Sequence, residues 1–325
     1  MAENRVLMNI EGLSKRYSLR RSLLDALCRV PATQLVAVDN VSLSIERGTV
    51  LGIVGESGSG KTTLARCLIR LIEPDTGVIS FSNKRIDIAT AYELRQIRKD
   101  IQMVFQDPYT SLNPRMTIGD ALTEAGKVHD TIGLSPENEY VSELLKLVGL
   151  APSFASRRPR QLSGGQRQRA AIARALAVRP TMLIADEAVS ALDVSIQGQI
   201  LNLLRDLREE LKLTIIFIAH QLSVISHVAD EVAVMYLGQI VEHGATKDIF
   251  SNPKHPYTRA LMAAHPHPDP RNRIIPEMKG EIPSPLALPR GCRFVNRCPH
   301  AAAVCSESAP DLQTFSNGHR VACHF

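Results

Sequence analysis

The run Gly55-Glu56-Ser57-Gly58-Ser59-Gly60-Lys61-Thr62 follows the apolar stretch 50–54 and precedes a helical pattern that starts at Thr63 and continues to residue 72. Its spacing is G-x-x-x-x-G-K-[ST], in the setting this motif requires, after a strand and at the opening of a helix. Glycines let the backbone close around phosphate oxygens with its N–H groups, and the helix N-terminus adds positive potential. In such a loop the lysine, here Lys61, bridges the terminal phosphates and the hydroxyl of Thr62 ligates Mg²⁺. Chance alone produces the pattern in about one chain per hundred of this length, before the flanking strand and helix are required. The stretch therefore reads as a nucleotide phosphate site in an α/β fold.

Outward from the loop, the pattern is that of a mixed sheet. Val38, Val41, Leu43 and Ile45 alternate as in a half-buried strand, and 50–54 is continuous as in a buried one. Residues 182–185 and 213–219 are short, β-branched-rich runs separated by a helical pattern, which predicts parallel strands. The first of these belongs to Thr181-Met182-Leu183-Ile184-Ala185-Asp186-Glu187. Asp186 is placed to hold Mg²⁺ through water, and Glu187, pointing to the other side at the strand end, to activate an attacking water. Between about residues 115 and 160 the pattern is helical. A basic insert at 18–34 reads as an amphipathic helix that either touches a partner or faces solvent.

The 325 residues, 44% hydrophobic and 22% charged, suit one large domain with an appendage. A net charge of +5 on this length singles out neither nucleic acid nor membrane as a partner. No apolar run reaches the roughly 18 residues of a membrane span, and the first residues lack a secretory apolar segment, so the expectation is a soluble, cytoplasmic protein. Beyond residue 251 prolines recur at 253, 256, 266, 268, 270, 276, 283, 285 and 289. They favour an extended linker and place a boundary near 265. The expected divisions are a domain over 1–265, a linker over 266–290 and a cysteine-rich extension over 291–325.

Leu162-Ser163-Gly164-Gly165-Gln166 opens a second helical stretch. Ser163 and the N–H groups of Gly164 and Gly165 make another anion-receptive helix terminus, for which the loop in the same subunit has no use. On this pentapeptide together with the phosphate loop, the chain resembles the ATP-binding cassette (ABC) ATPases over roughly residues 6–265. The resemblance implies a P-loop cassette with a mixed core sheet, an antiparallel β subdomain and a helical subdomain. It also implies that Ser163, Gly164, Gly165 and Gln166 clamp the γ-phosphate of ATP bound to an opposite subunit. Further elements stand in the family's order: Tyr17 for adenine stacking, Gln106 sensing Mg²⁺ and water and linking to the membrane subunit, Asp193 communicating across the dimer, and His220 contacting the γ-phosphate. His220 is flanked by Ala219 and Gln221, where the family more often shows Thr and Asp, which leaves open what surrounds the histidine. No catalytic position is degraded.

Asp107-Pro108-Tyr109-Thr110-Ser111-Leu112-Asn113-Pro114, Asn252-Pro253 and His255-Pro256-Tyr257-Thr258 resemble the ATPases of dipeptide and oligopeptide importers, a group that includes importers of nickel and some sugars. Gly291-Cys292-Arg293-Phe294 and Arg297-Cys298-Pro299 resemble that group's C-terminal extension. Cys28 and Cys67 are scattered, whereas Cys292, Cys298, Cys305 and Cys323 crowd the tail. Their spacing leaves an iron–sulfur cluster, a zinc ion and unmetallated thiols all open. The resemblance implies a structural [4Fe-4S] cluster. It further implies two integral membrane permease subunits, a second ABC ATPase that is either a different chain or another copy, an extracytoplasmic solute-binding protein acting indirectly, no nucleic acid, and a peripheral position on the cytoplasmic face of the cell membrane. A soluble ABC ATPase acting on ribosomes or DNA would typically fuse two cassettes or insert a long coiled coil. A P-loop kinase or GTPase would leave 162–166 unexplained.

Overall fold

The computed structural model describes residues 5–18, 34–107, 111–190, 192–264, 283–315 and 318–325. These form two compact units, one of residues 1–45, 51–87 and 219–325, the other of 46–50 and 88–218. In chain order the strands are β1 (Val6–Ser18), β2 (Gln34–Glu46), β3 (Val50–Val54), β4 (Thr76–Phe81), β5 (Lys84–Arg85), β6 (Ile101–Val104), β7 (Met182–Asp186), β8 (Thr214–Ala219), β9 (Glu231–Tyr236), β10 (Gln239–Ala245), β11 (Gln313–Thr314) and β12 (Arg320–Val321).

The first unit holds two sheets. One has the order β2-β1-β4-β5, with β1 and β4 antiparallel in the register Met8↔Phe81 and Ile10↔Ile79, so that their apolar residues share a buried face. The other runs β11-β12-β10-β9-β3 and is mixed: β3 and β9 are parallel, Leu51↔Glu231 to Val54↔Val234, whereas β9, β10, β12 and β11 pair antiparallel in turn. Every residue of β3 is buried, as a continuous apolar run predicts. Ile53, Val54, Val232 and Val234 form the centre, each such burial contributing about 1.5–3 kcal/mol.

The second unit carries the parallel strands β6, β7 and β8, in the registers Ile101↔Met182 and Met182↔Thr214. The helices Ile118–Val128, Glu137–Leu147 and Gly164–Leu176 and the 3₁₀ turn Pro152–Ser156 pack on one another, in the region where the sequence turns helical. Thr117 and Asp120 close the first of these with a capping box. The hydroxyls of Thr131, at 2.7 Å, and of Tyr140 both donate to the Ala177 carbonyl, tying the helical region to the end of Gly164–Leu176.

Boundaries differ from the sequence reading in places. The helix after the phosphate loop spans Lys61–Leu68 and stops short of residue 72, because Arg70 turns left-handed with φ 51° and its N–H bonds the Cys67 carbonyl instead. Of the insert at 18–34, residues 19–33 lie outside the described set, as do 265–282 of the proline-rich stretch. No described helix is long and apolar enough to cross a membrane.

The fully buried His255 caps the helix Pro256–Ala263, its Nδ1 accepting from the Tyr257 N–H at 3.0 Å. Burial pushes its pKa down to about 3. The unfolded chain takes up a proton near pH 6.5 whereas the folded chain does not until about 3, so stability falls on acidification through that window, by about 1.4 kcal/mol per pH unit. Denaturant titrations between pH 7 and 4.5 are expected to show this slope reduced by about that amount in His255→Asn, which keeps a cap acceptor.

Candidate functional site

In the first unit, β3 runs directly into the loop at residues 55–60. Gly60 takes φ 103°, and a Cβ there would lie 2.0 Å from the Ala37 carbonyl oxygen; a Cβ on Gly55 would lie 2.1 Å from that of Met235. Only glycine fits at either place. Lys61 opens the helix, is 3% exposed, and donates from Nζ to the carbonyls of Gly55 at 2.8 Å and Glu56 at 2.9 Å and to Ser59 Oγ at 3.3 Å. Its ammonium thus sits inside the curl of the loop. Ser59 is held by its carbonyl, which accepts from the Gly238 N–H at 2.8 Å. Ser57 and Gly58 are exposed, while Thr62 and Thr63 are half-buried in the first helical turn.

Glu56 is fixed at both ends. Its N–H donates to Tyr257 Oη at 2.9 Å, and its carboxylate receives a two-pronged pair from Arg297, with Nη1 to Oε2 at 2.8 Å and Nη2 to Oε1 at 3.0 Å. Tyr17 lies at the end of β1, half-buried, with the Lys15 ammonium 5.6 Å from its ring centroid. His220 follows β8 and is exposed.

The second unit contains the acidic pair. Asp186 ends β7, buried, and Glu187 is 7% exposed with φ 50°, a left-handed backbone that a non-glycine residue adopts at a cost of about 1–3 kcal/mol. The chain therefore leaves the strand at Glu187 rather than continuing its alternation. The Glu187 N–H donates to the Ile218 carbonyl at 3.1 Å, and its carbonyl accepts from Ser190 N–H at 3.1 Å and Oγ at 3.0 Å. Gln106 Nε2 in turn donates to Ser190 Oγ at 3.4 Å. Ser190, a residue to which sequence reasoning gave no role, joins Gln106 to the carboxylate turn.

The helix Gly164–Leu176 begins with a capping box: Ser163 Oγ accepts from the Gln166 N–H at 3.3 Å and Gln166 Oε1 from the Ser163 N–H at 3.0 Å. A Cβ on Gly165 would lie 2.6 Å from Ile196, so a side chain here would disturb the neighbouring helix. Ser163 itself is exposed. Asp193 sits exposed at the start of the helix Val194–Leu211, with its carbonyl accepting from Ile196 and Gln197 at 2.9 Å each. Helix termini of this kind receive anions.

The tail lies in the first unit. Phe294 is buried among Tyr236, Tyr257 and His255, with ring centroids 5.4, 5.5 and 5.8 Å away. Cys292 donates its N–H to the Cys305 carbonyl at 2.7 Å, and none of the described cysteines is paired in a disulfide. Burial pushes up the thiols of Cys292 and Cys298, and the charges of the other tail cysteines push them further. Among the described residues, however, no three His, Cys, Asp or Glu side chains converge as needed to hold a metal ion. Neither the zinc nor the cluster expectation for the tail is therefore supported by the described residues.

Comparison with known proteins adds two family matches: residues 38–190 match the ABC transporter family and residues 241–305 the oligopeptide/dipeptide transporter C-terminal region. A probable peptide ABC transporter ATP-binding protein of Sinorhizobium fredii is 48% identical over 98% of this chain and 89% of its own. The oligopeptide transport ATP-binding protein AppF of Bacillus subtilis is 45% identical over 99% and 98%. The di/tripeptide transport ATP-binding protein DppF of Pseudomonas aeruginosa is 43% identical over 98% and 97%. Among solved structures, cbiO1 of Clostridium perfringens, part of the ABC transporter complex cbiONQ, superposes with a TM-score of 0.65 at 29% identity, over 76% of this chain and 92% of that one. A dimeric bacterial ABC transporter cassette does so at 0.64 and 28%, over 74% and 99%.

Gly60→Ala brings both a disfavoured φ and a carbonyl clash, and is expected to lower the unfolding free energy by about 1–3 kcal/mol in equilibrium denaturation.

Proposed function

The chain belongs to the ATP-binding proteins of ABC transporters, in the branch with the oligopeptide/dipeptide transporter C-terminal region, and from that premise we propose that its ATP hydrolysis powers the import of dipeptides or oligopeptides. The observation that carries the reading is that one chain holds two anion-receptive helix N-termini of different design. The helix Lys61–Leu68 has a wrapped glycine loop with an internal lysine, whereas Gly164–Leu176 has a self-capped, exposed end. A second terminus without its own loop finds its use against nucleotide held by another cassette. Two cassettes then enclose two ATP molecules, and the exposed Asp193 communicates across the same boundary.

In this reading residues 55–63 hold the phosphates, with the Lys61 ammonium on the terminal ones and Tyr17 stacked on adenine. By the family resemblance Thr62, Asp186 and Gln106 would hold Mg²⁺, which would supply charge neutralisation to the phosphate oxygens. Glu187 accepts the proton of a water whose oxygen bonds to the γ-phosphorus, while the bond to the bridging oxygen breaks and ADP departs. The left-handed turn at Glu187, braced through Ser190 to Gln106, supports this role, since strained backbone persists where surroundings over-determine it. His220 contacts the γ-phosphate. The signature residues Ser163, Gly164, Gly165 and Gln166 clamp the γ-phosphate of the opposite site.

We place the ATPase domain at 1–265, with a helical subdomain at about 115–160, a linker at 266–290 and the cysteine-rich extension at 291–325. Partners are two membrane permease subunits, a second ABC ATPase and, indirectly, a solute-binding protein, with the chain peripheral on the cytoplasmic face of the cell membrane. The thiols of Cys292, Cys298, Cys305 and Cys323 hold a [4Fe-4S] cluster, which when bound staples the extension. The reading rests on the resemblance of these tail motifs to the C-terminal extension of the importer group, and among the described residues no metal-holding set is found.

Glu187→Gln is expected to abolish steady-state ATP hydrolysis and uptake of a labelled tripeptide, while ATP binding persists and the closed dimer accumulates. Undiminished turnover would remove Glu187 from its role, and uptake that fails with peptides yet works with another solute would reassign the cargo. Protein purified without oxygen should contain iron and acid-labile sulfide, with a visible absorption lost in Cys298→Ser. Stoichiometric zinc in its place would refute the cluster.

A further inference from the structure

A loop built to receive a polyanion carries a carboxylate at its second position. In the structure that carboxylate, on Glu56, is matched by the guanidinium of Arg297, two nearly equal hydrogen bonds forming a parallel fork. Arg297 is 6% exposed, and the pairing with Glu56 raises its pKa above the ordinary arginine value. It ends the 3₁₀ turn Val295–Arg297, set between the buried Phe294 and Cys298, so its place is dictated by the tail's packing. Arg293, from the same segment, bonds the Leu237 carbonyl and Asp39, beside the Gly238 N–H that holds the Ser59 carbonyl.

The second hold on Glu56 leads to the tail as well. Tyr257, whose hydroxyl accepts from the Glu56 N–H, is positioned by His255; the His255 N–H donates to Glu242 Oε2 at 3.0 Å, and Glu242 Oε1 lies 2.7 Å from His319 Nε2. Glu242 is fully buried, and Lys254 N–H donates to it at 2.7 Å. A path of buried and half-buried polar contacts therefore runs from the extension to the phosphate loop and back.

We propose that Arg297 is a positioning residue for ATP: it neutralises Glu56 and fixes the second residue of the phosphate loop, so that the C-terminal extension sets nucleotide affinity. This rests on the reading of residues 55–63 as the ATP site. Without Arg297 an uncompensated carboxylate remains on the loop, opposing the triphosphate by like charge and releasing the backbone at Glu56. Arg293 and the Tyr257 path keep the extension docked.

The test is titration of the full-length chain, purified without oxygen, with a fluorescent ATP analogue, alongside steady-state hydrolysis. Arg297→Met is expected to bind about tenfold more weakly and to raise KM for ATP by a similar factor, with kcat within about twofold. Adding Glu56→Gln to it should restore most of the affinity, which a merely structural loss would not allow. Arg320→Met breaks the tail's contact with His243 Nδ1, a 2.9 Å bond, and should lower thermal stability with affinity kept within about twofold. Arg297→Lys keeps the charge without the fork; it should lose about threefold and supplies the measurement if Arg297→Met does not fold. Unchanged affinity in the folded Arg297 variants, or no recovery with Glu56→Gln, overturns the proposal. Binding that survives Lys61→Ala would instead remove the ATP-site reading beneath it.

Discussion

A buried ammonium is among the costliest groups to place in a protein, and at Lys61 the loop before it curls its own carbonyls around the charge. That curl requires glycine at 55 and 60, a strand that ends at Val54 and a helix that starts at Lys61. Phosphate oxygens are natural successors to those carbonyls, since they offer the same ammonium stronger acceptors. On the proposed reading, the triphosphate takes over the contacts that the loop now gives this cation.

The second unit places a buried carboxylate at a strained turn. Glu187 leaves its strand by a left-handed turn, and the turn is secured by the Ile218 carbonyl and by Ser190. Gln106, contacting the same serine, is coupled to that turn. On the proposed reading, this contact links the segment at Gln106 to the turn that carries Glu187. Ser163, at the start of Gly164–Leu176, and Asp193 are both exposed.

The described tail residues belong to the first unit and are anchored in it by packing, hydrogen bonds and strand pairing. Phe294 enters an aromatic cluster, two arginines reach carboxylates and carbonyls, and β12 pairs with β10. A short, cysteine-rich segment poor in apolar residues depends on such anchors as well as on any staple.

Much of the local structure at the candidate site was legible from residue order, because a glycine loop, an acidic strand end and a capped helix each need neighbouring residues at set spacings. The strands 50–54 and 182–186 follow from apolar runs, and the capping box of Ser163 with Gln166 from adjacent letters. Nothing local foretold that the Glu187 backbone would turn left-handed, that Ser190 would bridge to Gln106, or that Arg70 would end the helix early. Least legible of all was the Arg297–Glu56 pair, whose partners stand 241 residues apart. Sequence by itself determined the family, the phosphate loop and the acidic strand end, since those rest on covalent proximity. Only the tertiary structure decided what neutralises the loop's own carboxylate, because ion pairing depends on distance in space, which the chain sets by folding.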